Sequence, residues 1–266
     1  MSATWTRPVG LPPGQEQIVN TNRRIAVVAG VLFIIATLGS VAGAAFLSPI
    51  LSAPDYLTRI SANENQVLLG ALFQFIGGAA CPAIAIALYP VLRKHNEGLA
   101  IGSVGFRLIE GALYVLIVIC LLLLVTLSRE SVRAATPAAS AFQVPGMLLM
   151  AARDWLGPVG AVLTFGLGAL MYYWVFYRSR LVPRWLSAWG LVAITLVMVS
   201  GLLVMFGLAE PMSTTQLVLA LPIGVQEMVL AVWLIAKGFN PRAIASAPAI
   251  AAAPAIEPSL AGAGAL

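Results

Sequence analysis

The sequence predicts an all-α, polytopic membrane protein, and three observations support this fold class. Hydrophobic residues make up 60% of the 266 residues and charged residues only 9%, whereas a soluble domain carries about a quarter charged residues. The mean hydropathy is +0.95. The apolar residues are gathered in runs of about twenty, the length that crosses a hydrocarbon core of about 30 Å. Because an open strand edge cannot be satisfied in lipid, we expect these runs to be helices.

Six apolar runs have the length of a membrane span. Together they form a predicted transmembrane domain over residues 23–238, preceded by a mobile N-terminal tail (1–22) and followed by an Ala/Pro-rich, disordered C-terminal tail (239–266). The longest connection, residues 128–146, is expected to lie along the outer membrane interface. The predicted spans cover residues 25–47, 67–92, 99–127, 155–177, 185–208 and 217–236.

The Lys and Arg residues predict the orientation, because cytoplasmic loops carry an excess of positive charge. With both termini in the cytoplasm, ten basic residues lie inside and four outside. The inner ten are Arg7, Arg23, Arg24, Arg93, Lys94, Arg178, Arg180, Arg184, Lys237 and Arg242, and the outer four are Arg59, Arg129, Arg133 and Arg153. The net charge of +5 is therefore a topology signal, and no nucleic-acid partner is predicted.

Two charges stand inside the third span, in the stretch GFRLIEGALY. Arg107 and Glu110 are three residues apart and share one helical face, which Ser103 and Tyr114 extend at helical spacing. A charge near the bilayer centre costs about 3 kcal/mol on insertion scales. Each of these two groups therefore requires a partner or a polar cavity.

The sixth span brings a second carboxylate to a similar depth. A rise of about 1.5 Å per residue places Glu227 near the middle of the membrane, as it does Arg107 and Glu110. The sequence predicts an Arg107 cation shared by both carboxylates, with Gln226 and Gln74 supplying neutral hydrogen bonds.

Helix interruptions near such a cluster would indicate a transporter site. Pro222 and Gly224 precede Glu227 in the sixth span, and Gly157 and Pro158 stand in the fourth. Pro82 follows a glycine pair in the second span. We therefore expect weakened helical hydrogen bonding in every second span.

Few features of the sequence favour an enzyme. The single histidine, His95, lies in an inner loop, so a histidine-ligated metal, a bis-histidine haem and a serine–histidine protease lack their residues. No cofactor or metal is predicted. Arg153 and Asp154, beside Trp155, are expected at the outer interface, where an anchoring role is favoured; Asp154 is the candidate for a lipid-directed membrane enzyme.

The segments GFRLIEGA, FGLGALMYYWVF and YRSRLVPRWLSAWGL resemble bacterial membrane proteins grouped as domain of unknown function 4386. The resemblance covers about residues 23–237. It implies six helices, a bacterial plasma membrane and no established activity. Relatives are expected to carry a more polar, His-containing segment before the fourth span, where this chain has AARDWLGP.

Three functions remain open from the sequence. The first is small-ligand or ion transport or binding at a site of Arg107, Glu110 and Glu227, with an unknown small ligand and the lipid bilayer as partners. The second is a non-catalytic membrane partner or sensor in which the same charges only clamp helices together. The third is the lipid-directed enzyme, and a homo-oligomer is compatible with all three.

Overall fold

The computed structural model describes residues 13–134 and 141–246, with side chains from residue 20 onward. These residues contain six helices long and apolar enough to cross a membrane, and no strand. The predicted fold class is therefore confirmed. The helices are α1 (Pro13–Leu51), α2 (Tyr56–Ala62), α3 (Glu64–Leu92), α4 (Glu97–Arg133), α5 (Gln143–Trp155), α6 (Val162–Ser179), α7 (Arg184–Met205), α8 (Thr214–Ala236) and α9 (Pro241–Ala245).

The six spans form a closed ring in which each helix packs against its neighbours in the chain. α1 contacts α3, α3 contacts α4, α4 contacts α6, α6 contacts α7, α7 contacts α8, and α8 returns to α1. Because successive spans run in opposite directions, α6 ends and α7 begins at the end of the ring where α1 begins. The side chains that point into the ring are the core of the protein.

The α1–α3 contact depends on small residues. A Cβ atom on Gly39 would lie 2.8 Å from the backbone nitrogen of Gly77, which is closer than non-bonded atoms approach. Glycine at this position therefore permits the two backbones to touch, as small residues do at membrane helix interfaces.

The fourth span contains the one departure from α-helical geometry within the described spans. A π-helical turn, Leu156–Ala161, joins α5 to α6, and it contains Gly157 and Pro158. The expected interruption is thus present here. In the second and sixth spans, α3 continues through Pro82 and α8 through Pro222. Each proline lacks the N–H of one helical hydrogen bond, but neither helix is broken there.

The helices extend beyond several predicted limits. α1 begins at Pro13, within the segment predicted as a tail, while residues 1–12 lie outside the described part of the chain. α4 continues to Arg133 and α5 begins at Gln143, both within the predicted outer connection. At the other terminus, Phe239 and Ala243 are buried against the core, whereas residues 247–266 are outside the described range.

Candidate functional site

The charged pair of the third span lies inside the helix ring. The side chains of Arg107 and Glu110 are 2% and 4% exposed, and Arg107 Nη1 lies 2.8 Å from Glu110 Oε2. Although this distance is that of an ion pair, neither atom has a hydrogen-bond partner of acceptable geometry among the described residues. The attraction between them is therefore electrostatic rather than a directed hydrogen bond.

Two further contacts hold the guanidinium of Arg107. Its Nε donates a hydrogen bond to the Cys81 carbonyl oxygen on α3, at 3.2 Å. Its carbon atom Cζ lies 4.9 Å from the centre of the Phe165 ring on α6, a cation–π distance. Arg107 thus joins three neighbouring helices of the ring.

The carboxylate of α8 belongs to the same cluster. Arg107 is within electrostatic range of both Glu110 and Glu227. That the two carboxylates share this cation stays a prediction. Glu227 is only partly buried, whereas Glu110 is 3% exposed. Since Glu227 forms no ion pair among the described residues, it approaches the cation less closely than Glu110 does.

Several buried polar atoms at this level have no hydrogen-bond partner among the described residues. Besides Arg107 Nη1 and Glu110 Oε2, these are Ser103 Oγ and the Tyr172 hydroxyl. Ser103 and Tyr172 are 1% and 0% exposed. Buried polar atoms normally have a partner, so a group without one indicates strain, a functional role or a water or ion at the site.

Gln226 differs from its neighbour Glu227 in that both ends of its side-chain amide are hydrogen-bonded. Its Oε1 accepts a hydrogen bond from the Tyr173 hydroxyl at 2.5 Å, and its Nε2 donates to the Leu186 carbonyl oxygen at 3.0 Å. The residue is completely buried. Gln226 therefore links α6, α7 and α8, and neither of these hydrogen bonds is to Arg107.

Gln74 lies away from the cluster. It packs against Gly43 of α1, where a Cβ would lie 2.8 Å from its Cγ. Seven residues separate it from Cys81, or about 10 Å along the helix. The expected hydrogen bond from Gln74 to the charged cluster is thus not formed.

Arg153 and Asp154 are close together at the end of α5, directly before the π-helical turn. Arg153 Nη1 donates a hydrogen bond to Asp154 Oδ1 at 3.1 Å, and the side chains are 17% and 33% exposed. Arg153 Nε is buried without a partner among the described residues. The anchoring role at the outer interface stays a prediction.

Cys81, Phe165, Tyr172 and Tyr173 complete the surroundings of the cluster, and sequence reasoning did not identify them as site residues. Aromatic and cysteine side chains are ordinary core residues in an apolar span, so nothing in their spacing distinguishes them. No group of three or more potential metal ligands occurs within residues 13–134 and 141–246.

Fold and site together define a multi-pass membrane helix bundle with an ionic cluster at its centre. The family model described as Domain of unknown function (DUF4386) matches residues 28–238, and the chain belongs to this family. No curated protein and no solved structure matches the chain.

Proposed function

We propose that this protein transports protons or small cations across the bacterial plasma membrane, with both termini in the cytoplasm. The central cluster of Arg107, Glu110 and Glu227 is the proposed binding site. The observation that supports this proposal is the charge balance of the cluster. One guanidinium interacts electrostatically with two carboxyl groups, one on α4 and one on α8.

Full ionisation would leave the cluster with one excess negative charge. An isolated charge in an apolar interior is very costly, and the group takes up a proton or a counter-ion instead. The other electrostatic partners of Arg107 are Cys81 and Tyr172, which are neutral in their ordinary protonation states. A proton or a monovalent cation therefore balances the site.

Glu227 is the carboxyl that exchanges this ion in the proposed mechanism. It is less buried than Glu110 and is not held by a close ion pair. Glu110 remains beside Arg107, so it keeps the cation oriented while Glu227 binds and releases. The unpartnered Ser103 and Tyr172 hydroxyls would then hydrogen-bond to the water that accompanies the ion.

A flux measurement in proteoliposomes tests this proposal. Vesicles that enclose a pH-sensitive dye receive a pH gradient, with valinomycin and potassium to balance charge, and parallel samples use a sodium gradient. We expect wild type to dissipate one of these gradients faster than empty vesicles. Glu227→Gln should lose that flux, because the amide cannot take up a proton or supply a negative charge.

Glu64→Gln is the matched control, since it removes a carboxylate from a more exposed ion pair with Arg129. It should transport like wild type. Wild-type vesicles that leak no faster than empty ones to H⁺ or Na⁺ would contradict the proposal, as would full flux in Glu227→Gln.

A second candidate function is supported by the bonding of Gln226. Its two hydrogen bonds join α8 to α6 and to α7, so they hold these three helices together. If the charged cluster has the same role, the protein is a non-catalytic membrane partner or sensor. Absence of flux, together with specific cross-linking to another membrane protein, would favour this alternative.

A further inference from the structure

A concave site lies at the end of the bundle where α6 ends and α7 begins. Its volume is about 360 Å³, and its lining consists of Arg180, Val182, Pro183, Arg184 and Asn240. It is separate from the central ionic cluster, which lies inside the ring. No part of the proposed transport mechanism uses it.

Two hydrogen bonds from Asn240 hold the backbone around this site in place. Asn240 follows α8, and its backbone N–H donates a hydrogen bond to the Leu181 carbonyl oxygen at 2.8 Å. Its side-chain Nδ2 donates to the Arg180 carbonyl oxygen at 3.2 Å. Leu181 and Val182 are 0% and 2% exposed, so the turn is fixed to the core.

Arg180 adopts a left-handed backbone conformation with φ = 58°. A residue with a bulky side chain adopts this conformation uncommonly. Glycine would be the unstrained choice at the end of α6. The arginine is present there despite the conformational cost, and its side chain lines the cavity.

The cavity has a strongly positive lining. Arg180 and Arg184 are exposed, and neither takes part in an ion pair among the described residues. The sequence contains no Asp or Glu between Asp154 and Glu210. α7 also begins at this point, and its N-cap residue Pro183 provides no side-chain cap. The helix therefore adds unsatisfied N–H groups and the positive end of its dipole.

Aromatic side chains place this site at the level of the lipid headgroups. Trp174 and Tyr177 pack together at the end of α6, and Trp185 and Trp189 stack at the start of α7, each pair with ring centres 6.5 Å apart. Trp174 and Trp185 are 50% and 56% exposed. Tryptophan and tyrosine concentrate at the membrane–water interface in this manner.

From these observations we propose that the cavity binds the phosphate of an anionic phospholipid headgroup. Arginine side chains bind phosphate through paired N–H groups, and basic pockets between spans are suited to anionic headgroups. Free phosphate shares this chemistry. The aromatic belt favours the lipid, because it places the site where lipid phosphates are concentrated.

Native mass spectrometry of the full chain in detergent tests this inference. Phosphatidylglycerol, phosphatidylcholine and inorganic phosphate are titrated separately into wild type and into the double variant Arg180→Gln/Arg184→Gln. We expect wild type to prefer phosphatidylglycerol over phosphatidylcholine. The double variant should lose about 30-fold in phosphatidylglycerol affinity and keep its phosphatidylcholine binding, which reports that the fold is intact.

Arg24→Gln/Arg93→Gln is the matched control. It removes two exposed arginines from the same end of the bundle and gives the same net charge, but it leaves the cavity unchanged. This control should keep the lipid preference. An equal loss in the control, an unchanged preference in the cavity variant, or binding of inorganic phosphate without preference for phosphatidylglycerol would overturn the proposal.

Discussion

Gln226 and Glu227 are adjacent in the sequence, yet they belong to two different kinds of polar site. Gln226 is completely buried and satisfied by Tyr173 and Leu186. Glu227 is partly buried and interacts with Arg107 without a close ion pair. Successive residues on a helix differ in direction by about 100°, so one turn of α8 serves both sites.

The comparison shows that two neighbouring polar residues of one helical turn can differ in hydrogen bonding and in the charge balance around them. The neutral side chain of Gln226 accepts one hydrogen bond and donates another. Both bonds are to other helices of the ring, so they stabilise the ring. A cluster with one cation, two carboxyl groups and unpartnered hydroxyls retains the capacity to bind something else. Bonding and charge balance are therefore the quantities that separate the two sites.

The largest expected effect is that of Arg107→Gln. The substitution leaves two carboxyl groups without their buried cation and should lower the free energy of unfolding by about 3–5 kcal/mol. Thermal unfolding in detergent micelles measures this loss. Arg129→Gln, in the more exposed pair with Glu64, should cost less than about 1 kcal/mol. Equal losses at the two positions would mean that the buried cluster contributes no more to the free energy of unfolding than the exposed ion pair does.

Gln226→Leu should have the next largest effect. The Tyr173 hydroxyl then loses the acceptor of its hydrogen bond, and the Leu186 carbonyl oxygen loses a donor. For two buried groups, we expect the free energy of unfolding to fall by about 2–4 kcal/mol. The same unfolding measurement applies. Flux in proteoliposomes should persist in the folded fraction, because the charged cluster is unchanged. Loss of flux in fully folded protein would show that the two sites are not independent.

A smaller effect is expected when the hydrogen bonds of Gln226 are disturbed by packing alone. A Cβ atom on Gly190 would overlap the Tyr173 ring, so Gly190→Ala should destabilise by about 1–3 kcal/mol. Gly105→Ala provides the control, since nothing lies within 4 Å of the added Cβ. It should be neutral or slightly stabilising. A loss in Gly105→Ala equal to that in Gly190→Ala would contradict the packing explanation.

The sequence predicts the membrane spans well because an apolar run of about twenty residues has the length of a membrane-spanning helix, and few other structures can bury it. It also predicts that Arg107, Glu110 and Glu227 lie at similar depth, which follows from helical rise. Helix rotation is harder to predict, and Gln226 and Gln74 illustrate the reason. In spans that are apolar on every side, no hydrophobic face indicates which residues point into the ring.

In the proposed mechanism, the cluster holds one proton or small cation that balances its charge, and Glu227 is the carboxyl that exchanges it. Infrared difference spectroscopy of the protein in membranes at neutral pH, without added sodium or potassium, measures protonated carboxyl groups directly. We predict a protonated carboxyl band in wild type that shifts in D₂O, disappears in Glu227→Gln and persists in Asp154→Asn. A wild-type spectrum without this band, or an unchanged band in Glu227→Gln, would contradict the assignment of the exchanging carboxyl to Glu227.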